Sequence, residues 1–201
     1  MGQQGATEYL RTLSELILST QVTNGIGTAL SLDEAAAQAV QMFLIAKRES
    51  RKVFLTGNGG SAAIVSHVQS DLCKAVGVRA LVFTEQPMLT AFANDDGYGS
   101  VYERPVQLWA EPGDILWAVS SSGRSENILR GVRAASQLGC EVITFSGFRP
   151  DNPLRQMGEL NFYIGSEVYG YVETGHAALA HFMTDLARSI TTTPARVQTQ
   201  G

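Results

Sequence analysis

The chain has little of what several special classes of protein require. Only two of its 201 residues are cysteines, and Cys73 and Cys140 make no metal-spaced pair, which excludes a disulfide framework and a cysteine zinc site. No apolar run approaches the ~20 residues that a membrane-spanning helix needs. The opening residues lack the charged-then-apolar pattern of a signal peptide, so a reduced, cytoplasmic protein is expected. A net charge of −4 and a pI near 5.4 supply no general basic surface, so neither nucleic acid nor an anionic membrane is expected as a partner. The common nucleotide signatures are also missing. No Lys-Ser/Thr follows the glycines of residues 57–63, and no GxGxxG is present. Neither an internal repeat nor a second domain is visible.

What is present is concentrated in two places. In residues 114–143 an apolar run with Ile115, Leu116, Ala118 and Val119 empties into SSSGRS, and Ile128, Leu129, Val132 and Ala135 then recur at helical spacing. Ser120, Ser121, Ser122 and Ser125 supply hydroxyls, Gly123 allows a tight turn, and the free N–H groups of the following helix point back toward them. Such a cluster holds a phosphate without a cation; its bland alternative is a helix N-cap within a turn. The second place is KVFLTG, which runs into GNGGSAA at residues 57–63 before another helix. Two strand, small-residue loop, helix units in one short chain favour a sugar-phosphate or nucleotide pocket over two unrelated turns.

Hydrophobic periodicity gives the frame. Residues 8–20 and 31–48 read as amphipathic helices, the second opened by a Ser31…Glu34 capping box, and residues 23–28, with Gly25 and Gly27, read as a hinge. Strands are expected at residues 52–56, 79–83, 114–119, 141–146 and 161–164, with helices near 62–75, 87–94, 101–108, 125–138 and 173–189. This alternation implies an α/β fold, a three-layer, doubly wound, mostly parallel five-stranded sheet. Residues 1–190 read as one domain that includes the N-terminal helical pair, and residues 191–201 as a frayed tail.

The order GNGGS, His67, AFANDDGYG at residues 91–99, SSSGRS and His181 resembles the sugar isomerase (SIS) domain, and within it the phosphoheptose isomerases, which convert sedoheptulose 7-phosphate to an aldoheptose 7-phosphate. The likeness runs from the N-terminal helices to about residue 188. It implies a flavodoxin-like SIS fold whose N-terminal helices pack an oligomer, a homotetramer with pockets at chain interfaces. It assigns Ser121, Ser122 and Ser125, with Ser120 nearby, to the phosphate, and Asn58, Gly59, Gly60, Ser61 and Asp95 to the sugar. Arg124 reads as solvated.

The resemblance further implies that His67, Asp71, Glu173 and His181 carry the chemistry and hold zinc or another divalent cation. An aldose–ketose isomerase moves a proton between adjacent carbons through an enediol, with a base at the carbons and an acid serving the oxygens. The family pattern makes Asp71 the base and His181 its acid–base partner. This sequence departs from that pattern with Asp71 in place of Glu and Glu173 in place of Gln, so Glu173 is an alternative base. Gly170 also departs, standing where the family often has Asp, so residues 169–171 are expected to meet a different polyol end. His67 and Asp71, four apart on a helix, share a face. Glu173 and His181 are eight apart, about 12 Å along an unbroken helix. The helix therefore starts after Glu173, bends near Gly175, or the two groups serve one site from different subunits. His176 reads as a structural or interface histidine, with Glu173-x-x-His176 as an alternative ligand pair. Two other functions remain open: a non-catalytic SIS protein that binds a partner, and a sugar-phosphate sensor.

Overall fold

A computed structural model describes residues 5–192. Each strand follows the expected apolar runs: β3 (Lys52–Gly57), β4 (Arg79–Val82), β5 (Ile115–Ser120), β6 (Glu141–Ser146) and β7 (Leu160–Tyr163) pair in parallel in the order β7-β6-β5-β3-β4. The segment expected to be a hinge instead forms a hairpin, β1 (Gln21–Asn24) and β2 (Ala29–Leu30). It adds two antiparallel strands to the β7 edge, giving seven strands among the described residues. Asn24 closes the turn by accepting from the backbone N–H groups of Ile26 and Thr28 through Oδ1.

Helices cover both faces of the sheet. Because strand side chains alternate, Val53, Leu55, Trp117, Val119, Ile143 and Phe145 point to one face, which is covered by α2 (Leu32–Arg48), α3 (Gly60–Asp71) and α7 (Tyr169–Thr192). Phe54, Leu116, Ala118 and Val142 point to the other, which is covered by α5 (Glu103–Trp109) and α6 (Glu126–Gln137), with α4 (Gln86–Asp95) at its margin. The Ser31–Glu34 capping box opens α2 as expected. Helix α1 (Ala6–Leu18) packs on α7, where Tyr9 stacks on Tyr171 with ring centroids 4.5 Å apart.

Helix α7 begins at Tyr169, a turn before the expected start, and continues through Thr192. Residues 191 and 192 are thus helical rather than tail, and the remainder of the expected tail lies outside the described residues. Among the described residues no helix is long and apolar enough to cross a membrane.

The strand order fixes where a ligand can sit. From β3 the chain crosses through α3 to β4 on one side, whereas β5, β6 and β7 follow on the other, so the direction of winding reverses between β3 and β5. In an open parallel sheet that reversal opens a crevice beyond the strand ends. Both small-residue loops leave from it: GNGGS after β3 and SSSGRS after β5, with Gly57 paired in register with Val119.

Candidate functional site

Between the two loops lies a cavity of about 250 Å³, lined by Asn58, Gly59, Gly60 and Ser61 on one side, Ser120, Ser121, Ser122 and Ser125 on the other, and Tyr169 and Glu173 from α7. Eight of the nine residues expected to bind the sugar phosphate therefore converge on one crevice. The ninth, Asp95, does not; it ends α4 as an exposed side chain that accepts from Asn94 Nδ2 at 2.8 Å. In AFANDDGYG it is Tyr98 that reaches the loops, donating to Asn58 Oδ1 at 3.2 Å.

The serine loop is shaped by a glycine turn, with Ser120 and Ser121 buried and Ser122 and Ser125 half-buried. Gly123 adopts φ +60, and a Cβ there would approach Asn152 Cβ to 2.9 Å, so only glycine suits the turn. Ser125 holds the N-cap position of α6, yet its side chain makes no capping bond. The bland reading of the cluster as an N-cap thus fails at this residue. Ser121 is 5% exposed and its Oγ has no hydrogen-bond partner, a cost that an arriving acceptor would relieve. Arg124 is about half exposed and pairs with Asp151 Oδ1 at 3.0 Å.

Glu173 closes the other end. Its carboxylate lies against Gly60, so closely that a Cβ at Gly60 would sit 2.6 Å from Glu173 Cδ. The first turn of α3 carries free N–H groups and the positive end of the helix dipole, a favourable seat for a carboxylate. Tyr102 buttresses the same loop from below by donating to the Gly57 carbonyl, and burial lifts its phenol to about 12.

The four residues expected to hold a metal do not meet within one chain. His67, Asp71 and His181 cluster, with one ligand atom from each lying within 4.8 Å of the others. Asp71 Oδ2 is 3.6 Å from His67 Nε2 and 3.4 Å from His181 Nδ1, and the imidazoles meet edge to face at 4.9 Å. Two imidazoles and a carboxylate form a donor set suited to zinc or a similar divalent cation. Glu173 is absent from this cluster because α7 is helical across the whole interval. Two turns, about 12 Å, separate it from His181, and a later helix start is ruled out.

His176 is fully buried, its Nε2 donating to the Ser146 carbonyl at 3.1 Å, and burial depresses its pKa from 6.5 to about 4. It is a structural histidine, and the Glu173–His176 ligand pair is not formed. In residues 169–171, Tyr169 lines the cavity, Tyr171 is buried on Tyr9, and Gly170 backs onto the Tyr9 hydroxyl.

Sequence reasoning did not reach Asn127, which is 3% exposed and exchanges two hydrogen bonds with Asn58. Its signal was an amide on the buried face of α6, two residues beyond Ser125. A larger cleft of about 470 Å³ lies beneath the β1–β2 turn, but its cation, Arg155, is already held by Gln21 Oε1, the Pro150 carbonyl and the Tyr163 ring.

Comparison with known proteins agrees with this arrangement. The SIS domain family model matches residues 21–147, a span that begins at β1 and closes just after β6. A phosphoheptose isomerase of Syntrophotalea carbinolica is 32% identical over 164 residues, covering 78% of this chain and 83% of that protein. One from Aquifex aeolicus is 32% identical over 152 residues, covering 72% and 78%. The solved phosphoheptose isomerase of Neisseria gonorrhoeae superposes with a TM-score of 0.77 at 26% identity over 90% of this chain and 94% of that one. Sequence, fold and the crevice between β3 and β5 thus agree, and the chain belongs to the SIS-domain phosphoheptose isomerase family.

Proposed function

We propose that the protein is a cytoplasmic aldose–ketose isomerase converting sedoheptulose 7-phosphate to D-glycero-D-manno-heptose 7-phosphate through an enediol. One observation carries this reading: the serines of both loops and Glu173 line a single cavity, and the buried Oγ of one of those serines, Ser121, lacks a partner. The phosphate occupies the serine loop at the start of α6, and the sugar extends toward Gly59, Gly60 and Ser61. A sensor would need only the serine loop; the carboxylate beside it is what favours turnover.

Of the two candidate bases, Glu173 is the one that lines the cavity, so it carries the carbon-bound proton. It takes a proton from C1 of the ketose while the carbonyl oxygen at C2 gains one, giving the enediol. The carboxyl then returns its proton to C2 as the C1 hydroxyl gives up its own, leaving the aldehyde. His181 serves these oxygens, with Asp71 facing its Nδ1. Because His181 stands two turns from Glu173 on α7, we assign it to the cavity of a neighbouring copy in a homotetramer. His67, Asp71 and His181 would also hold a divalent cation, zinc by the chemistry of the donors, which supplies Lewis-acid polarisation of the same oxygens.

Turnover of sedoheptulose 7-phosphate, followed by aldoheptose phosphate formation, tests the activity directly; binding without product would replace it with a sensor. Mixing Glu173→Gln and His181→Ala proteins tests the shared site. Regained activity is expected when the two exchange subunits, whereas a mixture as inactive as its parts would return both groups to one chain.

A further inference from the structure

We infer that Asn127 is a positioning residue that, together with Tyr98, fixes Asn58 as a single N–H donor aimed at a sugar oxygen. The inference rests on the sugar-phosphate reading of the cavity and concerns how that cavity chooses among ligand atoms.

The two loops are clasped by an amide pair. Asn58 Nδ2 donates to Asn127 Oδ1 at 2.9 Å, and Asn127 Nδ2 donates to Asn58 Oδ1 at 2.8 Å. The hydroxyl of Tyr98 donates to the same Asn58 oxygen at 3.2 Å. A primary amide has two lone pairs on oxygen and two N–H donors. Both lone pairs of Asn58 are thus engaged, and one of its two N–H groups is. The capacity left to Asn58, which lines the cavity, is a single N–H.

That remaining donor selects for an oxygen with a lone pair and rising negative charge. A carbonyl oxygen that becomes an enediolate oxygen meets this description, and a donor held in place before the reaction costs no reorganisation during it. Asn127 can hold Asn58 in this way because it is buried, sits in the first turn of α6, and joins the GNGGS loop to the helix that begins at the serine loop. A shift of either loop would break both bonds of the pair.

The test compares two ligands by calorimetry. Inorganic phosphate engages the serine loop alone, whereas sedoheptulose 7-phosphate also reaches Asn58. Asn127→Ala should weaken the sugar phosphate about fivefold to tenfold, the loss of one ordinary hydrogen bond, and leave inorganic phosphate within about twofold. In the Asn58→Ala background the same change should add less than about twofold, since Asn127 acts through Asn58. Tyr98→Phe, a change at an exposed side chain, keeps the inference falsifiable if the buried variant fails to fold, with about a threefold loss expected for the sugar phosphate only.

Equal weakening of both ligands, or Asn58 and Asn127 effects that multiply in the double variant, would overturn the positioning role. So would a Tyr98→Phe protein with wild-type affinity, or a wild-type protein that holds the sugar phosphate no more tightly than phosphate. Selective sugar-phosphate binding without turnover would remove the isomerase while leaving the amide clasp supported by the ratio of affinities.

Discussion

The cavity between the loops and the histidine cluster on α3 and α7 are assembled in opposite ways. In the cavity nearly every group is placed by backbone or by a second side chain: Asn58 by Asn127, Glu173 by the glycine beneath it, the serines by a turn that only glycine fits. His67, Asp71 and His181 pair with one another at 3.4 to 3.6 Å, with the two imidazoles 62% and 50% exposed. A prearranged cavity suits differential binding of a transition state, and an open cluster suits a group completed from outside, by a cation or a second copy.

The largest effects should separate the two regions. If Glu173 carries the proton, Glu173→Gln should lower kcat by about 10²- to 10⁴-fold with sugar-phosphate binding retained. On the same proposal Asp71→Asn should cost less, since Asp71 faces His181 Nδ1 and is not among the residues lining the cavity. Equal losses would erase the distinction. Ser121→Ala should raise KM about tenfold or more, a charged hydrogen bond of about 1.5–3 kcal/mol, while kcat changes little; a kcat loss without a KM change would place the phosphate elsewhere.

Removal of metal is the next smaller effect. Zinc at a hundred times its dissociation constant should stabilise the protein by about 2.7 kcal/mol, visible as a raised Tm that chelator reverses and Asp71→Ala abolishes. An unchanged Tm in wild type would deny the cluster a resident cation.

The fold offers a gentler pH probe through His176. Its folded pKa, about 4, lies below the unfolded value of 6.5, so the unfolded chain binds the extra proton between them and stability falls as pH drops. The slope should be about 1.4 kcal/mol per unit from pH 6.5 to pH 4, and His176→Gln should flatten it in urea titrations. Activity near neutral pH should not follow this titration, since His176 lies outside the cavity lining.

Much of this was legible in the sequence because the parallel strands are buried on both faces and so read as unbroken apolar runs, as in KVFLTG and ILWAVS. The hairpin escaped because β2 has only two residues and Gly25 and Gly27 look like hinge glycines. The start of α7 escaped because Tyr169-Gly170-Tyr171 carries no N-cap signal. The serines and glycines of the cavity follow from local motifs, whereas Asn127 acts through a partner 69 residues away, a distance no local pattern reports. The separation of Glu173 from His181 was readable from helical rise, but the choice between them as neighbours of the cavity needed the packing of α3 against α7.

The most direct test is proton exchange at carbon. Wild type, Glu173→Gln and Asp71→Asn proteins would be incubated with sedoheptulose 7-phosphate in deuterated water, and deuterium entry beside the carbonyl followed by NMR. Exchange in wild type and Asp71→Asn, with none in Glu173→Gln, is the result expected if the carboxylate within the cavity moves the proton. Exchange that survives in Glu173→Gln and disappears in Asp71→Asn would contradict it and move the chemistry to the histidine cluster.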